Sequence, residues 1–317
     1  MKHNVGRATL LVAISACCFG SISPLTVLAM RHGAALQAIQ AWRYLTTAVL
    51  LTLFALWRAR SNDSPPAVPA GRAWYSPSVL VIAGGGQASV ATLALLALRW
   101  IPAATSSFLF YTYPAWVAII TAVRGIERLD RTRAIALVLA LGGIVTMVGA
   151  PDSASLAPAG VISVMSAAVI YALYIPVLGR LQREHAPLDV ARSISIGGAL
   201  IFVTWAVATG TLLGGLDAAA FGASALQGVL SAGAFLAFLA GLSALGAVRT
   251  AITSTIEPFW TAMLGVAALS QPIGRGTVIG GAAIMAAVLL LQRPSVARGG
   301  LHSSSAQTGD RTGSPPL

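Results

Sequence analysis

The amino-acid sequence predicts an all-α integral membrane protein with ten transmembrane helices arranged as two inverted five-helix repeats. Of its 317 residues, 56% are hydrophobic and only 9% are charged, whereas a soluble protein carries roughly 25% charged residues. The apolar residues fall in blocks of about 20, the length at which a helix crosses a hydrocarbon core of about 30 Å. Helices are favoured because lipid offers the backbone no hydrogen-bond partner.

Ten apolar blocks can be delimited along the chain, joined mostly by short connections. The segment 58–76 is a polar loop, and the segment 293–317 is rich in Ser, Gly and Pro without an apolar period, which predicts a disordered cytoplasmic tail. The ten predicted spans are 8–30, 36–57, 76–97, 101–123, 132–150, 158–179, 188–210, 224–245, 247–270 and 274–292.

The basic residues predict the orientation of these spans. With the N-terminus in the cytoplasm, sixteen Lys and Arg residues fall in inner segments, and only Arg31, Arg99 and Arg275 fall in outer ones. Cytoplasmic loops carry an excess of Lys and Arg. We therefore expect a multi-pass protein of the cell (inner) membrane with both termini cytoplasmic.

The chain also repeats itself. Shifted by 144 residues, the fourth span lies on the ninth, so that Pro114 and Trp116 meet Pro258 and Trp260. Two five-span halves, 1–150 and 151–292, have opposite orientations in the bilayer because five is odd. Inverted repeats of this kind are a common transporter architecture, with the substrate site near the midplane between the halves.

The matching segments resemble a known family. They run from Ile101-Pro102-Ala103-Ala104 to Tyr113-Pro114 and from Leu245-Gly246-Ala247 to Glu257-Pro258. Together with Arg43 early in the second span, they are similar to the EamA-type branch of the drug/metabolite transporter superfamily. The family often has Glu where this chain has Tyr113, and often has Gly-Glu where it has Ile126-Glu127 and Ser270-Gln271. The resemblance implies a secondary transporter that exports small metabolites such as amino acids or their derivatives.

Glu257 is the acidic residue that lies deep within a predicted span, about 15 Å from its inner end at a rise of 1.5 Å per residue. A charge at that depth costs at least about 2.5–3.5 kcal/mol. Glu257 is therefore a candidate for substrate binding or proton coupling. The alternative is a protonated side chain that only donates a hydrogen bond to a neighbouring helix.

The other candidates are polar or helix-breaking residues at span depth. Arg43 could bind an anionic group, or its long stem could reach the outer headgroups. Pro114 and Pro258 are hinge candidates, because proline kinks a helix and frees a carbonyl; the alternative is a kink that only improves packing. Four further polar candidates for the substrate site, which could equally only join helices, are Tyr111, Tyr113, Gln40 and Gln87.

Other function classes are disfavoured. The basic residues do not form a patch interleaved with aromatics, which argues against nucleic-acid binding. Cys17 and Cys18 alone predict neither a disulfide framework nor a metal site, and no cofactor motif is present. A membrane-embedded enzyme acting on lipid-like substrates is the alternative, but one deep carboxylate supplies no metal cluster. We expect a small-molecule substrate and lipid as partners; the coupling ion and a homodimer stay open.

Overall fold

The computed structural model describes residues 2–61, 75–97, 99–101, 106, 109–127, 129–148, 157–269 and 275–291. Most of the polar loop predicted at 58–76 and the whole tail predicted at 293–317 lie outside these residues. Within the described ranges, all regular secondary structure is helical. Helical segments lie in each of the ten ranges that the sequence predicts to be spans.

The helices are numbered α1 to α13 in chain order, and a π-helical segment, Val81–Gly85, joins α4 to α5. Their bounds are α1 Lys2–Gly20, α2 Ile22–Arg31, α3 Leu36–Arg60, α4 Pro77–Leu80, α5 Gly86–Ala97, α6 Tyr113–Val123, α7 Arg131–Val148, α8 Pro158–Leu181, α9 Pro187–Ala208, α10 Ala218–Leu245, α11 Ala247–Thr253, α12 Ile256–Leu269 and α13 Arg275–Leu291.

Six helical segments of the described chain are long and apolar enough to cross a membrane. Two shorter apolar helices, Tyr113–Val123 and Val278–Leu291, accompany them. Large apolar side chains such as Leu10, Val138 and Ile162 are exposed on the outer faces of these helices, as expected where the surroundings are lipid. The six long segments are Val5–Arg31, Leu36–Arg60, Pro77–Ala97, Pro158–Leu181, Pro187–Ala208 and Ala218–Leu245.

Helix neighbours in one half of the chain have counterparts in the other half. Helix α1 packs against α10, as α8 packs against α5; α1 also packs against α12, as α8 packs against α6. Helix α3 contacts α10, and α9 contacts the π-helical segment that precedes α5. The pairs α3–α9 and α7–α13 join equivalent helices of the two halves. The same packing scheme therefore serves both halves.

The fourth and ninth predicted spans are both interrupted. A turn at Tyr111-Thr112 precedes α6, and a turn at Ser254-Thr255 separates α11 from α12. The sequence predicts prolines that kink continuous helices, but Pro114 instead lies in the first turn of α6 and Pro258 in the first turn of α12. Backbone N–H groups in the first turn of a helix have no intrahelical acceptor, so the N–H that proline lacks is not missed there. Each proline is therefore compatible with the start of a new helix.

Two glycines let the halves approach closely. A Cβ atom built on Gly84 would lie 2.4 Å from the Cα of Gly197 in α9. At the position 144 residues later, a Cβ atom on Gly228 would lie 2.5 Å from the Thr46 Cβ and 2.8 Å from the Arg43 carbonyl oxygen of α3. Backbones this close require glycine at the crossing.

An ion pair joins the connections that follow α2 and α9. The His32 Nδ1 lies 2.8 Å from an Asp217 carboxylate oxygen, and both side chains are exposed. Asp217 also caps α10 by accepting a hydrogen bond from the Ala220 N–H at 2.7 Å. This backbone bond, with the bond to His32, lowers the pKa of Asp217 below its usual range.

We expect Gly228→Ala to destabilise the protein because the added methyl group would meet the α3 backbone. Overpacking of this kind costs about 1–3 kcal/mol. The matched control is Gly233→Ala in the same helix, where nothing lies within 4 Å of the added atom. Thermal unfolding of the two variants in detergent checks this expectation. Equal midpoints for the two variants would contradict the close crossing.

Candidate functional site

Glu257 lies immediately after the break in the ninth predicted span. It occupies the first turn of α12, where the unpaired N–H groups give the helix end a partial positive charge that favours a carboxylate. Helix α1 packs closely against this turn, because a Cβ atom on Gly20 would lie 2.8 Å from the Glu257 carbonyl oxygen. The Thr261 hydroxyl donates to the Gly20 carbonyl oxygen at 2.9 Å. These contacts therefore hold the turn that carries Glu257 against α1.

The break before α6 lies opposite the break before α12. The Tyr111 side chain from the first break lies close to the Glu257 carboxylate. The neighbouring Tyr113 hydroxyl donates to the Ala251 carbonyl oxygen in α11 at 3.4 Å. Both tyrosines are almost completely buried. The two interrupted spans, one from each half, thus meet at the carboxylate.

A cluster of aromatic rings surrounds this junction. The centroids of Tyr113 and Tyr171 are 4.8 Å apart in an edge-to-face arrangement, and those of Phe110 and Tyr171 are 5.7 Å apart in a stacked one. Tyr174 follows one turn later on α8, with its centroid 6.5 Å from that of Tyr171, and its hydroxyl donates to the Ala83 carbonyl oxygen. The site walls are therefore aromatic with hydroxyl edges.

Arg43 points into the protein and not toward the headgroups. Its side chain is 7% exposed, and its Nε donates to the Ser231 hydroxyl at 2.8 Å. One Nη donates to the Gln40 amide oxygen at 3.2 Å, and the guanidinium lies 5.0 Å from the centroid of the Tyr44 ring. Arg43 is also close enough to Glu257 for their charges to attract. The structure therefore holds a buried cation within electrostatic range of the carboxylate.

The structure brings together most of the residues predicted from the sequence. Tyr111 and Tyr113 both lie close to Glu257, while Gln40 accepts a hydrogen bond from Arg43. Gln87 is half-buried on α5, next to Gly86, whose close neighbour is the Tyr174 ring. These residues thus lie together at the junction of the halves, with Gln87 toward the edge of the group.

Sequence reasoning missed four residues of the site: Ser231, Tyr44, Tyr171 and Tyr174. Ser231 and the tyrosines look like ordinary helix-joining groups in an apolar block. The spacing of Tyr171 and Tyr174 places both on one face of α8. This shared face was the sequence feature that could have identified them as site residues. Which face points inward depends on tertiary packing.

Several buried hydroxyls beside the site have no hydrogen-bond partner among the described residues. They belong to Tyr44, Thr250 and Thr253, all of which are nearly inaccessible. A buried polar group without a partner costs about 1–3 kcal/mol. These hydroxyls are available to a ligand or to water.

The described part of the chain holds no group of three or more His, Cys, Asp or Glu side chains that could bind a metal ion. Cys17 and Cys18 are free thiols in α1, both half-buried. The functional groups that the site offers are therefore a carboxylate, a guanidinium, hydroxyls and aromatic rings.

A multi-pass helical fold with a charged, aromatic-walled site between two similar halves defines a membrane transporter. The EamA-like transporter family matches residues 6–149 and 158–293, one match for each half, and the chain belongs to this family. A solved structure described only as a crystal structure of a protein has a TM-score of 0.73 and 20% identity with this chain, covering 89% of this chain and 95% of that one. This likeness supports the fold. None of the curated proteins matches the chain.

We expect Ser231→Ala to destabilise the site because it leaves the buried Arg43 Nε without its partner. Removing a partner from a buried charged group costs about 1–3 kcal/mol. The control is Ser224→Ala on the same helix, whose hydroxyl bonds only the Ala220 carbonyl oxygen one turn away. A thermal midpoint that falls in Ser231→Ala but not in Ser224→Ala is the expected result. If both variants unfold like the parent, Arg43 does not depend on Ser231.

Proposed function

We propose that the protein is a secondary carrier that exports small metabolites such as amino acids or their derivatives, by alternating access between two inverted five-helix repeats. One observation carries this proposal: two interrupted spans, one from each half of the chain, meet beside Glu257, and Arg43 lies within electrostatic range of its carboxylate. Interrupted helices at the interface of inverted repeats form the substrate sites of many transporters.

The inverted arrangement with ten crossings is supported by sequence and packing together. Where a helix of one half packs against a helix of the other, the two equivalent helices also pack against each other. The interruptions before α6 and α12 fall at matching positions, and Pro114 and Pro258 follow them. Five crossings in each half then give the halves opposite orientations in the bilayer.

The chemistry of the site favours a zwitterionic or amphipathic substrate. A substrate ammonium group would pair with the Glu257 carboxylate, and a substrate carboxylate with the Arg43 guanidinium. Aromatic rings such as Tyr113 and Tyr171 suit an apolar substrate body and a cation. A substrate that carries both charges would leave neither buried group unpaired.

Glu257 is also the candidate for proton coupling. Its carboxylate lies near the middle of a predicted span, where a lone charge is costly. A carrier that exchanges a proton for substrate needs a carboxylate that can adopt both states. The competing role is a fixed hydrogen-bond acceptor for Tyr111.

Pro114 and Pro258 are proposed as hinges because each follows an interruption in its span. The two half-helices on either side of an interruption share no continuous ladder of backbone hydrogen bonds, so they can tilt separately. A membrane-embedded enzyme acting on lipid-like substrates is the alternative function, and no observation on this chain favours it.

The proposed topology predicts the side on which each connection lies. Reporter fusions after Arg58, Arg133 and Arg183 should report the cytoplasm. Fusions after Arg31, Asp152 and Asp217 should report the outside, because Lys and Arg concentrate in the inner segments. A reporter after residue 317 that proves to be external would contradict both the ten crossings and the inverted repeat.

Transport by purified protein in proteoliposomes tests the carrier function. Vesicles loaded with radiolabelled amino acids and related amines should release or exchange them only when they contain the protein. If Glu257 couples proton movement, Glu257→Gln should abolish transport driven by a pH gradient, because the amide cannot release a proton. The same variant should still exchange substrate across the membrane.

The matched control is Glu184→Gln, which removes an exposed charge from the connection between α8 and α9 and should leave transport unchanged. A Glu257→Gln protein that accumulates substrate with the parent's pH dependence would leave Glu257 only its hydrogen-bonding role. A parent protein that moves none of the tested compounds would contradict the substrate class.

A further inference from the structure

Glu127 links the two repeats at the end of the molecule where α6 ends. One oxygen of its carboxylate accepts hydrogen bonds from the N–H groups of Ala247 at 2.5 Å and Val248 at 3.4 Å, which begin α11. The other oxygen lies 3.2 Å from an Arg133 Nη in α7. Because Glu127 and Arg133 belong to the first repeat and α11 to the second, these contacts bridge the repeats.

The contact is built into the local backbone. The chain turns back after α6, where the N–H groups of Ile126 and Glu127 both donate to the Thr121 carbonyl oxygen at 2.8 and 3.3 Å. On the other side, Gly246 has a φ of +77°, and a Cβ atom there would lie 2.7 Å from the Glu127 carboxylate. Both the positive φ and the close approach of the carboxylate require glycine at position 246.

Burial makes the contact more than a surface ion pair. The side chains of Glu127 and Arg133 are only 14% and 19% exposed, so water screens their attraction weakly. Opening this end of the molecule between α6 and α11 must separate the carboxylate from the backbone of α11. The ion pair within the first repeat would then remain, with one carboxylate oxygen left without partners from the second repeat.

We propose that Glu127, held by Arg133, is a latch that keeps the cytoplasmic end of the substrate pathway closed, and that its release from α11 accompanies opening to the cytoplasm. This inference rests on the proposed carrier function and on the topology that the basic residues predict. The latch lies one turn from Thr250, whose buried hydroxyl has no partner in the described chain. The latch holds the start of α11, whereas Glu257 follows the end of α11, so in the proposed topology the latch lies between the site and the cytoplasm.

The sequence shows that this latch is not repeated in the second half. At the offset of 144 residues, Glu127 corresponds to Gln271 and Arg133 to Thr277. A neutral amide cannot form a charged pair, and charge-assisted hydrogen bonds are about twice as strong as neutral ones. The sequence thus has no counterpart of this carboxylate and guanidinium at the matching positions, and the contact favours the state that is closed to the cytoplasm.

The test measures access to Thr250 from the cytoplasmic side. In a protein carrying Cys17→Ala and Cys18→Ala, the reporter Thr250→Cys is labelled with a membrane-impermeant maleimide in inside-out vesicles. We expect Glu127→Gln to raise the labelling rate about tenfold, since a bond to a charged group is replaced by a neutral one. Glu184→Gln, which removes a cytoplasmic charge that is exposed, should leave the rate unchanged.

Unchanged labelling in Glu127→Gln would overturn the latch, as would an equal increase in Glu184→Gln. If Glu127→Gln fails to accumulate in the membrane, Arg133→Gln carries the same test, because the Glu127 carboxylate then loses the partner that holds it toward α11 and the labelling rate should rise; a rate equal to the parent's overturns the proposal. Labelling needs no substrate, so a negative result here is separate from failure of the carrier function, which proteoliposome transport reports.

Discussion

A carboxylate in the middle of a membrane span must have partners, and the architecture around Glu257 supplies them. The interruption before α12 gives the carboxylate a helix N-terminus, and the opposite interruption brings the Tyr111 hydroxyl to it. Arg43 provides the opposite charge from α3. Each partner comes from a different predicted span, so the site exists only when the two repeats are packed together.

That packing depends on close backbone contact. At Gly84 and Gly228 the repeats approach until no side chain fits between them, and lipid supplies no hydrophobic force that would favour looser contact. The tight crossing of α3 and α10 also sets Arg43 within reach of Ser231. Stability and the placement of the functional cation therefore share one cause.

The two ends of the molecule differ, although the repeats are related. The end where α6 stops and α11 begins is held by a half-buried carboxylate that two backbone N–H groups and Arg133 contact. At the other end, the connections after α2 and α9 are joined by the exposed side chains of His32 and Asp217. Exposed pairs of this kind contribute little to stability. An energetic difference between the ends gives an alternating-access carrier a preferred resting state.

The sequence by itself determined the all-helical class of fold, the ranges in which helices lie and the presence of two matching halves. Apolar block length, basic residues and a fixed offset are properties of the chain that need no knowledge of contacts. It also gave Arg43, Tyr111 and Tyr113 as candidates, because a polar side chain at span depth is costly wherever it points.

Only the tertiary structure decided what those side chains touch. A helix in lipid is apolar on all sides, so its periodicity does not reveal the inward face that brings Ser231 to Arg43 or Tyr171 to Tyr113. The same limit explains why Pro114 and Pro258 suggested kinks, whereas the chain breaks before them. Proline removes one N–H, but whether the helix bends or ends depends on the partners that neighbouring helices offer.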